Sequence, residues 1–310
     1  MSRIIFMGTA DFAVPSLNAL IEAGMTPVAV VTVPDAPAGR GLQVRESPVK
    51  ESAVGHGIPV LQPDDLQSAN FIEEIRNLDP DVIAVVAFRI LPPEVYTLAK
   101  RGAFNLHASL LPRFRGAAPI NRAIMDGASE TGVTTFFLKA AVDTGAIIKQ
   151  AKTRIGREET AGELHDRLAE LGAPVVVETV RLIASGEATG SAQDDSKASS
   201  APKLFRKDCQ IDWSQSAAEL HDFVRGLSPY PAAWTTWQDE TIKIYRARVF
   251  GNAAGVGEPG EVLLASHSRL VVATGSGALE LLELQREGRK RMSAGDFLNG
   301  TPIDVGQRLS

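Results

Sequence analysis

Residues 4–33 read IIFMGTADFAVPSLNALIEAGMTPVAVVTV. The apolar runs at 4–7 and 28–33 are continuous rather than alternating, which is typical of strands buried on both faces of a parallel sheet. Between them, residues 12–23 carry apolar side chains at helical spacing, and Gly24 can end that helix. This strand–helix–strand opening predicts an α/β fold with a doubly wound, mostly parallel sheet, which binds ligands beyond the carboxyl ends of its strands.

The turn after the first predicted strand, MGTAD at residues 7–11, argues against a dinucleotide site. It contains only Gly8, whereas the phosphate-binding fingerprint of dinucleotide-binding folds requires three glycines. We therefore expect a structural turn near the ligand site and no nicotinamide cofactor.

Composition is that of an ordinary globular protein. The 310 residues are enough for two domains, and 44% are hydrophobic and 22% charged. The net charge of −5 argues against coating nucleic acid by bulk charge, but it leaves room for a local basic face. The only cysteine, Cys209, excludes a disulfide framework and fits a reducing compartment.

The expected location is the cytoplasm and the expected assembly state is a monomer. The first residues have neither the apolar core of a signal peptide nor the arginine-rich character of a transit peptide. The sequence also has no run approaching the roughly 18 apolar residues of a membrane helix.

The strongest chemical signal is the run FNLHASLLPRFRGAAP at residues 104–119. It follows an apolar run at 82–87 that predicts a buried strand. Asn105 and His107 are two residues apart, so their side chains lie on one side of an extended strand. Taken alone, such a pair is more often structural than catalytic.

The run from His107 to Pro119, with Asp143-Thr144-Gly145 downstream, resembles the signature of the folate-dependent formyltransferases. Within that family the members that formylate methionyl-tRNA are the most similar, over nearly the whole chain. The resemblance implies transfer of a formyl group from N10 of 10-formyltetrahydrofolate to the α-amine of initiator methionyl-tRNA. It implies no metal and no covalent enzyme intermediate.

On this resemblance three residues are expected to be catalytic. The Asn105 amide would donate a hydrogen bond to the negative oxygen that develops when the amine attacks the formyl carbon. His107 would be a second stabiliser, or the acid that delivers a proton to N10. Asp143 would orient the imidazole and help to relay the proton that the amine loses.

The resemblance also implies a folate site beside these residues. In the family, the segment after the strand at 82–87 lines the pterin pocket, and the Ser-Leu-Leu-Pro segment contacts tetrahydrofolate. Residues 88–92 are one residue shorter than in the members that act on tRNA, and here the chain is similar to the glycinamide ribonucleotide enzymes. The expected folate-binding residues are Phe88, Ile90, Leu91, Ser109, Leu110, Leu111 and Pro112.

Two basic segments are candidates for contact with tRNA. The Pro- and Gly-rich segment 34–50 predicts a loop, and its residues alone favour a solvated surface loop. The family members that act on tRNA use a similar Pro-Ala-Gly-Arg-Gly loop against the acceptor end, which implies that role for Arg40. The second segment is a cluster in which Arg289 and Lys290 are expected to contact phosphates, with a solvated face as the equally weighted alternative. The cluster comprises Arg286, Arg289, Lys290 and Arg291.

The last hundred residues predict a small Greek-key barrel of the oligonucleotide-binding (OB) type, because short strands alternate with Gly-rich turns. A similar barrel is found in the family members that act on tRNA. The predicted strands lie at 233–237, 241–249, 260–264, 269–274 and 278–285.

Between the two predicted folds, residues 160–185 predict a long helix that breaks at Gly172-Ala173-Pro174. Residues 190–203 are rich in Ser, Ala and Asp and predict a linker or an ordered crossover. The predicted organisation is a formyltransferase catalytic domain at 1–189, a linker at 190–206 and an OB-like tRNA-binding domain at 207–310.

Three alternatives stay open on the sequence. A different 10-formyltetrahydrofolate-dependent enzyme, acting on a sugar-nucleotide amine or hydrolysing the donor, would use the same three catalytic residues. A nicotinamide oxidoreductase would need the missing glycines. A non-catalytic RNA-binding module would not depend on His107 for its activity.

Overall fold

The computed structural model describes residues 2–38, 43–251, 257–266 and 268–310. The chain divides into two compact units. The first unit comprises the residues up to Gly116, Glu130–Arg154 and His165–Ala201; the second comprises Ala117–Ser129, Ile155–Leu164 and Pro202–Ser310.

This division differs from the predicted domain boundaries. Residues 190–201, predicted as part of a linker, group with the first unit, and residues 117–129 and 155–164 group with the second. Residues 190–201 group with the first unit because Gln193 and Ser199 form hydrogen bonds with the loops around Asp143 and Phe114.

The first unit is built on a seven-stranded sheet in the order β5-β2-β1-β6-β7-β8-β9. Its first five strands in that order are parallel, whereas β8 and β9 are antiparallel, and β3 and β4 form a separate antiparallel pair. The strands are β1 (Ile4–Gly8), β2 (Ala29–Val31), β3 (Ala36–Ala38), β4 (Gln43–Arg45), β5 (Val60–Leu61), β6 (Val82–Val86), β7 (Gly102–His107), β8 (Glu130–Phe137) and β9 (Ile147–Arg154). The predicted parallel-rich α/β sheet is confirmed.

The order of the strands places the ligand crevice. The chain winds outward from β1 through β2 to β5 and then resumes on the other side of β1 with β6 and β7. Strands β1 and β6 are buried along their whole length, as their unbroken apolar character predicts. Ligands of such sheets bind where the winding direction reverses, beyond the carboxyl ends of the strands, and here that point lies between β1 and β6.

The helices follow the predicted pattern with shifted ends. The helix Ala69–Asn77 begins where it does because the Ser68 side chain accepts a hydrogen bond from the Phe71 amide and caps it there. Within the described ranges, no helix combines the length and the apolar character needed to cross a membrane. The helices are α1 (Val14–Glu22), α2 (Pro48–Gly55), α3 (Ala69–Asn77), α4 (Pro93–Tyr96), α5 (Pro119–Met125), α6 (Ala161–Ser185), α7 (Ala217–Leu227) and α8 (Ala294–Gly300).

Helix α6 is continuous, so the predicted break at residues 172–174 is wrong. Gly172 allows a close approach to β7, because a Cβ there would lie 2.6 Å from the Cδ2 atom of Leu106. Pro174 disfavours the helix by about 3 kcal/mol. That cost is outweighed by burial, which contributes about 1.5–3 kcal/mol for each fully buried aliphatic side chain. The buried aliphatic residues of this part of α6 include Leu168, Val176 and Val180.

The second unit contains an antiparallel sheet in the order β10-β11-β14-β13-β12, with β15 paired to β14. Its strands are β10 (Ala233–Trp237), β11 (Glu240–Val249), β12 (Val262–Ser266), β13 (Arg269–Ala273), β14 (Ala278–Arg286) and β15 (Met292–Ser293). All five predicted strands are present, with their ends shifted by at most two residues.

Residues 307–310 close this sheet into a barrel. The backbone of Ser310 exchanges hydrogen bonds of 2.6 and 2.9 Å with Thr236 of β10, and the Val262 amide of β12 donates to the Gln307 carbonyl at 2.8 Å. These bonds join the two outer strands, so neither is left as an open edge. The barrel and its antiparallel strands confirm the predicted fold class of the second unit.

Candidate active site

Strand β7 places the two candidate catalytic residues at the carboxyl edge of the first unit's sheet. It lies between β6 and β8, with Val85 opposite Asn105 on one side and Thr134 opposite His107 on the other. Since Asn105 and His107 are separated by one residue on a strand, both side chains lie on the same face. That edge is where the fold is expected to bind ligands.

His107 is held in one orientation by the loop that follows its strand. Only 6% of its surface is exposed, and its Nε2 atom lies 2.8 Å from the Phe114 carbonyl oxygen. Because a carbonyl can only accept, Nε2 must carry a proton. The neutral imidazole therefore presents Nδ1 as its basic nitrogen, and Nδ1 lies 3.7 Å from the Oδ2 atom of Asp143.

Asp143 approaches His107 from a loop 36 residues further along the chain. Its side chain is 9% exposed, and its Oδ2 atom accepts a 2.8 Å hydrogen bond from the Gly116 amide. Its own φ is +54°, in the left-handed region that Asp and Asn tolerate best after glycine. The structure thus brings the two expected catalytic groups together in a buried, fixed arrangement.

Gly116 is required where it stands. Its φ is +128°, and a Cβ there would lie 2.5 Å from the Ala201 carbonyl oxygen. A larger residue would displace the amide that holds the Asp143 carboxylate.

The Asn105 amide is the open donor of the site. Its side chain is partly exposed, and it forms no hydrogen bond with any residue in the part of the chain that the structure describes. An amide without a protein partner can donate to an incoming oxyanion, because no existing hydrogen bond has to be broken.

The Ser-Leu-Leu-Pro segment is held by hydrogen bonds to Thr134 of strand β8. The Thr134 hydroxyl donates to the Ser109 carbonyl at 2.6 Å and accepts from the Leu111 amide at 3.1 Å. The Ser109 hydroxyl donates to the Arg113 carbonyl at 2.6 Å, so it is engaged in shaping the loop. Ser109 and Leu111 are buried, whereas Leu110 and Pro112 are partly exposed and can meet a ligand with their side chains.

The segment after β6 offers one open apolar side chain. Leu91 is buried and Phe88 is partly buried in the same apolar cluster of the first unit. Ile90, in contrast, is 77% exposed. Arg89 holds residues 88–91 in place, because its guanidinium donates a 2.7 Å hydrogen bond to the Pro63 carbonyl. Of the three residues expected to line a pterin pocket, Ile90 alone has its side chain free to cover a ring.

Gln193, which no sequence pattern indicates, organises the Asp143 loop. The Gln193 amide nitrogen donates to the carbonyl oxygens of Asp143 and Gly145, at 2.8 Å each. Its amide oxygen accepts from Nε and Nη2 of Arg115 at 3.0 and 2.7 Å, and Nη2 also contacts Asp195 at 2.7 Å. Gln193 thereby ties the loop of Asp143 to the loop that follows His107.

The same stretch supports the loop that holds the imidazole. The Phe114 amide donates to the Ser199 hydroxyl at 2.9 Å, and the Arg115 amide donates to the Ser199 carbonyl at 2.8 Å. Residues 193–201 thus fix both sides of the site. One sequence signal for this role is the length of the predicted linker. A segment of about 17 residues without secondary structure is uncommon in a compact protein and is often functional.

Gln193→Ala should lower kcat for the reaction of this site by about 10- to 100-fold, because a displacement of a catalytic group by about 1 Å costs that much. Two hydrogen bonds to the Asp143 loop and two from Arg115 are lost, so the free energy of unfolding should fall by about 2–5 kcal/mol. Steady-state kinetics and thermal unfolding measure both. Ser191→Ala, at an exposed neighbouring position, is the matched control. Wild-type kcat in Gln193→Ala would show that the loop holds its shape without the glutamine.

The candidate tRNA residues fall into three groups. Arg40 lies outside the described residues. Arg286 forms an ion pair with Glu240 and holds the pKa of that carboxyl below its usual value, and Arg291 pairs with Glu283. Arg289 and Lys290 are exposed, and neither has a carboxylate partner among the described residues.

Among the described residues, the other reactive groups form no second centre. The structure, over the residues it describes, contains no group of three His, Cys, Asp or Glu side chains that could hold a metal ion. Burial raises the pKa of the Cys209 thiol, which keeps it protonated and unreactive. His165 packs against the Phe12 ring with 5.2 Å between the ring centroids, and the Nε2 atom of His221 lies 3.1 Å from Glu158.

Comparison with protein families finds two matches. The model described as formyl transferase matches residues 2–180. The model described as formyl transferase, C-terminal domain, matches residues 203–302. Together they account for most of the chain.

Comparison with curated proteins finds relatives over nearly the full length. The chain is 49% identical over 309 residues to a protein of Chlorobium phaeovibrioides named methionyl-tRNA formyltransferase, with 98% of this chain and 97% of that protein covered. It is 52% identical over 306 residues to the protein of the same name from Chlorobium chlorochromatii, with 97% and 98% covered.

Comparison with solved structures shows the same fold. The N-formyltransferase from Helicobacter canadensis, solved in complex with folinic acid and dTDP-3-aminofucose, has a TM-score of 0.68. Its sequence identity is 20%, with 92% of this chain and all of that chain covered.

Proposed function

This chain belongs to the formyl transferase family, whose N-terminal and C-terminal domains it carries, and we propose that it formylates methionyl-tRNA. The observation that carries the proposal is the identity of about one half, over nearly the whole length, to methionyl-tRNA formyltransferases. The co-substrate is 10-formyltetrahydrofolate, which supplies the formyl group. The Helicobacter enzyme, at 20% identity, shares the fold alone, so a sugar-nucleotide acceptor is not proposed.

The residues at the carboxyl edge of the sheet fit such a donor. The Asn105 amide has no protein partner among the described residues and can meet the formyl oxygen, and Ile90 is exposed to cover an apolar ring. We propose that Leu110 and Pro112 contact the folate with their side chains and Ser109 and Leu111 through their backbone. The partly buried Phe88 and the buried Leu91 would support the same wall.

The proposed reaction is a direct attack by the α-amine of methionyl-tRNA. An α-amino group has a pKa of about 7.7–8.0, so roughly a tenth to a sixth of it is unprotonated and nucleophilic at pH 7. As the new bond to the formyl carbon forms, negative charge develops on the formyl oxygen, and the Asn105 amide stabilises that charge. Breaking the bond to N10 requires a proton at N10, and the attacking amine must lose one.

In this proposal, His107 and Asp143 transfer the proton from the amine to N10. Nε2 is committed to the Phe114 carbonyl, so proton transfer is left to Nδ1, the nitrogen that faces Asp143. Nδ1 would accept the proton from the amine and pass it toward N10. The Asp143 carboxylate stabilises the imidazolium that forms in between, and its bond to the Gly116 amide keeps it in position.

For tRNA, we propose that Arg40, Arg289 and Lys290 contact the phosphate backbone. Arg289 and Lys290 are the cations of their cluster that no carboxylate neutralises among the described residues. Such contacts position a nucleic acid without reading its sequence.

Arg289→Ala/Lys290→Ala should weaken methionyl-tRNA binding and flatten its salt dependence. The slope of log Kd against log salt should fall by about 1 for each residue that contacts a phosphate. Filter binding between about 50 and 200 mM salt measures it. Arg76→Ala/Lys100→Ala removes the same charge from two cations that have carboxylate partners, and it should leave the slope unchanged. Equal slopes in both double variants would place the tRNA elsewhere.

We also propose a catalytic domain that extends to residue 201, a barrel domain that binds tRNA, a monomeric state and a cytoplasmic location. The hydrogen bonds of residues 193–201 to the Asp143 and Phe114 loops support the first point. Sedimentation at several protein concentrations tests the monomer.

An acceptor competition tests the function itself. The enzyme and labelled 10-formyltetrahydrofolate are offered methionyl-tRNA, a dTDP-amino sugar and water in one reaction. The label should appear on the tRNA. Label on the sugar, or as free formate, would assign the site to a different formyl transfer.

A further inference from the structure

The second unit contains a cavity of about 350 Å³ that the proposed chemistry does not use. We call it the barrel pocket; its lining includes Arg206, Tyr230, Trp234, Lys243 and Gln285. A volume of this size suits a ligand as large as a nucleotide.

The pocket floor is built on the outer face of three adjacent strands. Trp234 of β10 lies directly opposite Lys243 of β11, which lies directly opposite Gln285 of β14. Directly opposite residues share one face of a sheet. Their neighbours along the strands are buried in the core of the barrel, among them Ala233, Ile242 and Leu284. The side chains of Trp234, Lys243 and Gln285 therefore face away from the core of the barrel.

Two aromatic rings border this row. Tyr230 is 83% exposed, which makes it the most exposed of the large hydrophobic residues described. Trp234 is half-buried; its indole nitrogen donates to the Arg206 carbonyl at 2.8 Å, and the Arg206 guanidinium lies 5.6 Å from its ring. The Trp234 ring is thus fixed in orientation, whereas the Tyr230 side chain forms no hydrogen bond and no ring contact with the described residues. Flat rings presented in this way suit stacking against a base.

The pocket carries an excess of positive charge. Arg206 and Lys243 are exposed and have no carboxylate partner within the described part of the chain, whereas Arg286 is neutralised by Glu240. Glu287 is the acidic residue of the lining. In a chain with a net charge of −5, two unpaired cations beside two aromatic rings favour an anionic ligand with a flat ring.

We infer that the barrel pocket binds one unpaired nucleotide of the tRNA, with its base stacked on Tyr230 and Trp234 and its phosphate contacted by Arg206 and Lys243. The inference rests on the proposed function, which supplies the RNA. Only a base outside a duplex exposes its face for stacking on a side chain.

Recognition at the barrel pocket is tolerant of base identity. The Gln285 amide oxygen accepts from the Tyr245 hydroxyl at 2.5 Å, and its amide nitrogen donates to the Arg289 carbonyl at 2.7 Å. The Gln285 side-chain amide is thus already hydrogen-bonded within the protein, and it can form few hydrogen bonds with the edge of a base. Affinity then comes from stacking and charge.

Tyr230→Ala tests the inference, because removal of an 83% exposed ring leaves the fold intact. The Kd for methionyl-tRNA should rise about tenfold or more. Folate binding, thermal unfolding and kcat at saturating tRNA should not change. Tyr230→Phe keeps the ring and should bind as the wild type does. Val305→Ala removes a different exposed apolar side chain of this unit and is the matched control.

Ultraviolet crosslinking followed by peptide mapping supplies the second readout. Crosslinks should fall on the peptide that contains Tyr230 and should be lost in Tyr230→Ala. An unchanged Kd in Tyr230→Ala, or crosslinks confined to other peptides, would overturn the inference while wild-type formylation of tRNA continues. Absence of that formylation in the wild type would instead remove the proposed function.

Discussion

His107→Gln should lower kcat for formyl transfer by about 10²–10⁴-fold, the range typical of a lost general acid–base group. The Gln amide nitrogen can take the place of Nε2 and donate to the Phe114 carbonyl, a bond that measures 2.8 Å in the wild type. It cannot supply the basic Nδ1 that faces Asp143. The substitution therefore separates proton transfer from loop support. Single-turnover kinetics and thermal unfolding measure the two.

His107→Ala is the informative companion to this variant. It removes the imidazole and leaves the Phe114 carbonyl without its donor, so the free energy of unfolding should also fall by about 1–3 kcal/mol. Near-wild-type kcat in His107→Gln, with instability in His107→Ala, would make His107 a structural support of the loop and nothing more.

Asp143→Asn should lower kcat by about 10²-fold or more, since the buried imidazolium would lose its only near carboxylate among the described residues. The fold should persist for two reasons. The Asn amide oxygen can still accept from the Gly116 amide, and Asn tolerates the left-handed φ of +54° at this position. Kinetics at saturating tRNA and folate, with calorimetry alongside, measure the effect.

Asp143→Ala distinguishes charge from geometry. It lacks both the charge and the acceptor, so its kcat should be no higher than that of Asp143→Asn, and its unfolding temperature should be lower. Wild-type turnover in Asp143→Asn would remove the carboxylate charge from the mechanism.

The parts of the molecule that could be predicted from sequence are those with a local pattern. The apolar runs at 4–7 and 82–87 predict strands because a buried parallel strand has few polar positions. The alternation of strands and turns after residue 233 predicts the barrel. Asn105 and His107 share a face simply because a strand has a period of two.

The parts that escaped prediction depend on contacts between distant residues. Gln193 donates hydrogen bonds to carbonyl oxygens 48 and 50 residues away in the sequence. A single polar side chain in a Ser-rich segment produces no periodic pattern from which such contacts could be predicted. The closure of the barrel by residues 307–310 is made by backbone hydrogen bonds that any sequence could form. Helix α6 continues through Pro174 because of burial that only the folded chain provides.

The most direct test is a single-turnover reaction of wild-type enzyme and His107→Gln with 10-formyltetrahydrofolate and charged initiator methionyl-tRNA. The product to be measured is formylmethionyl-tRNA, released in equal amount with tetrahydrofolate. We expect rapid formation by the wild type and a rate lower by about 10²–10⁴-fold in the variant. Equal rates in the two proteins, or formate and no formylated tRNA from the wild type, would contradict the central claim that this buried His–Asp site transfers a formyl group to methionyl-tRNA.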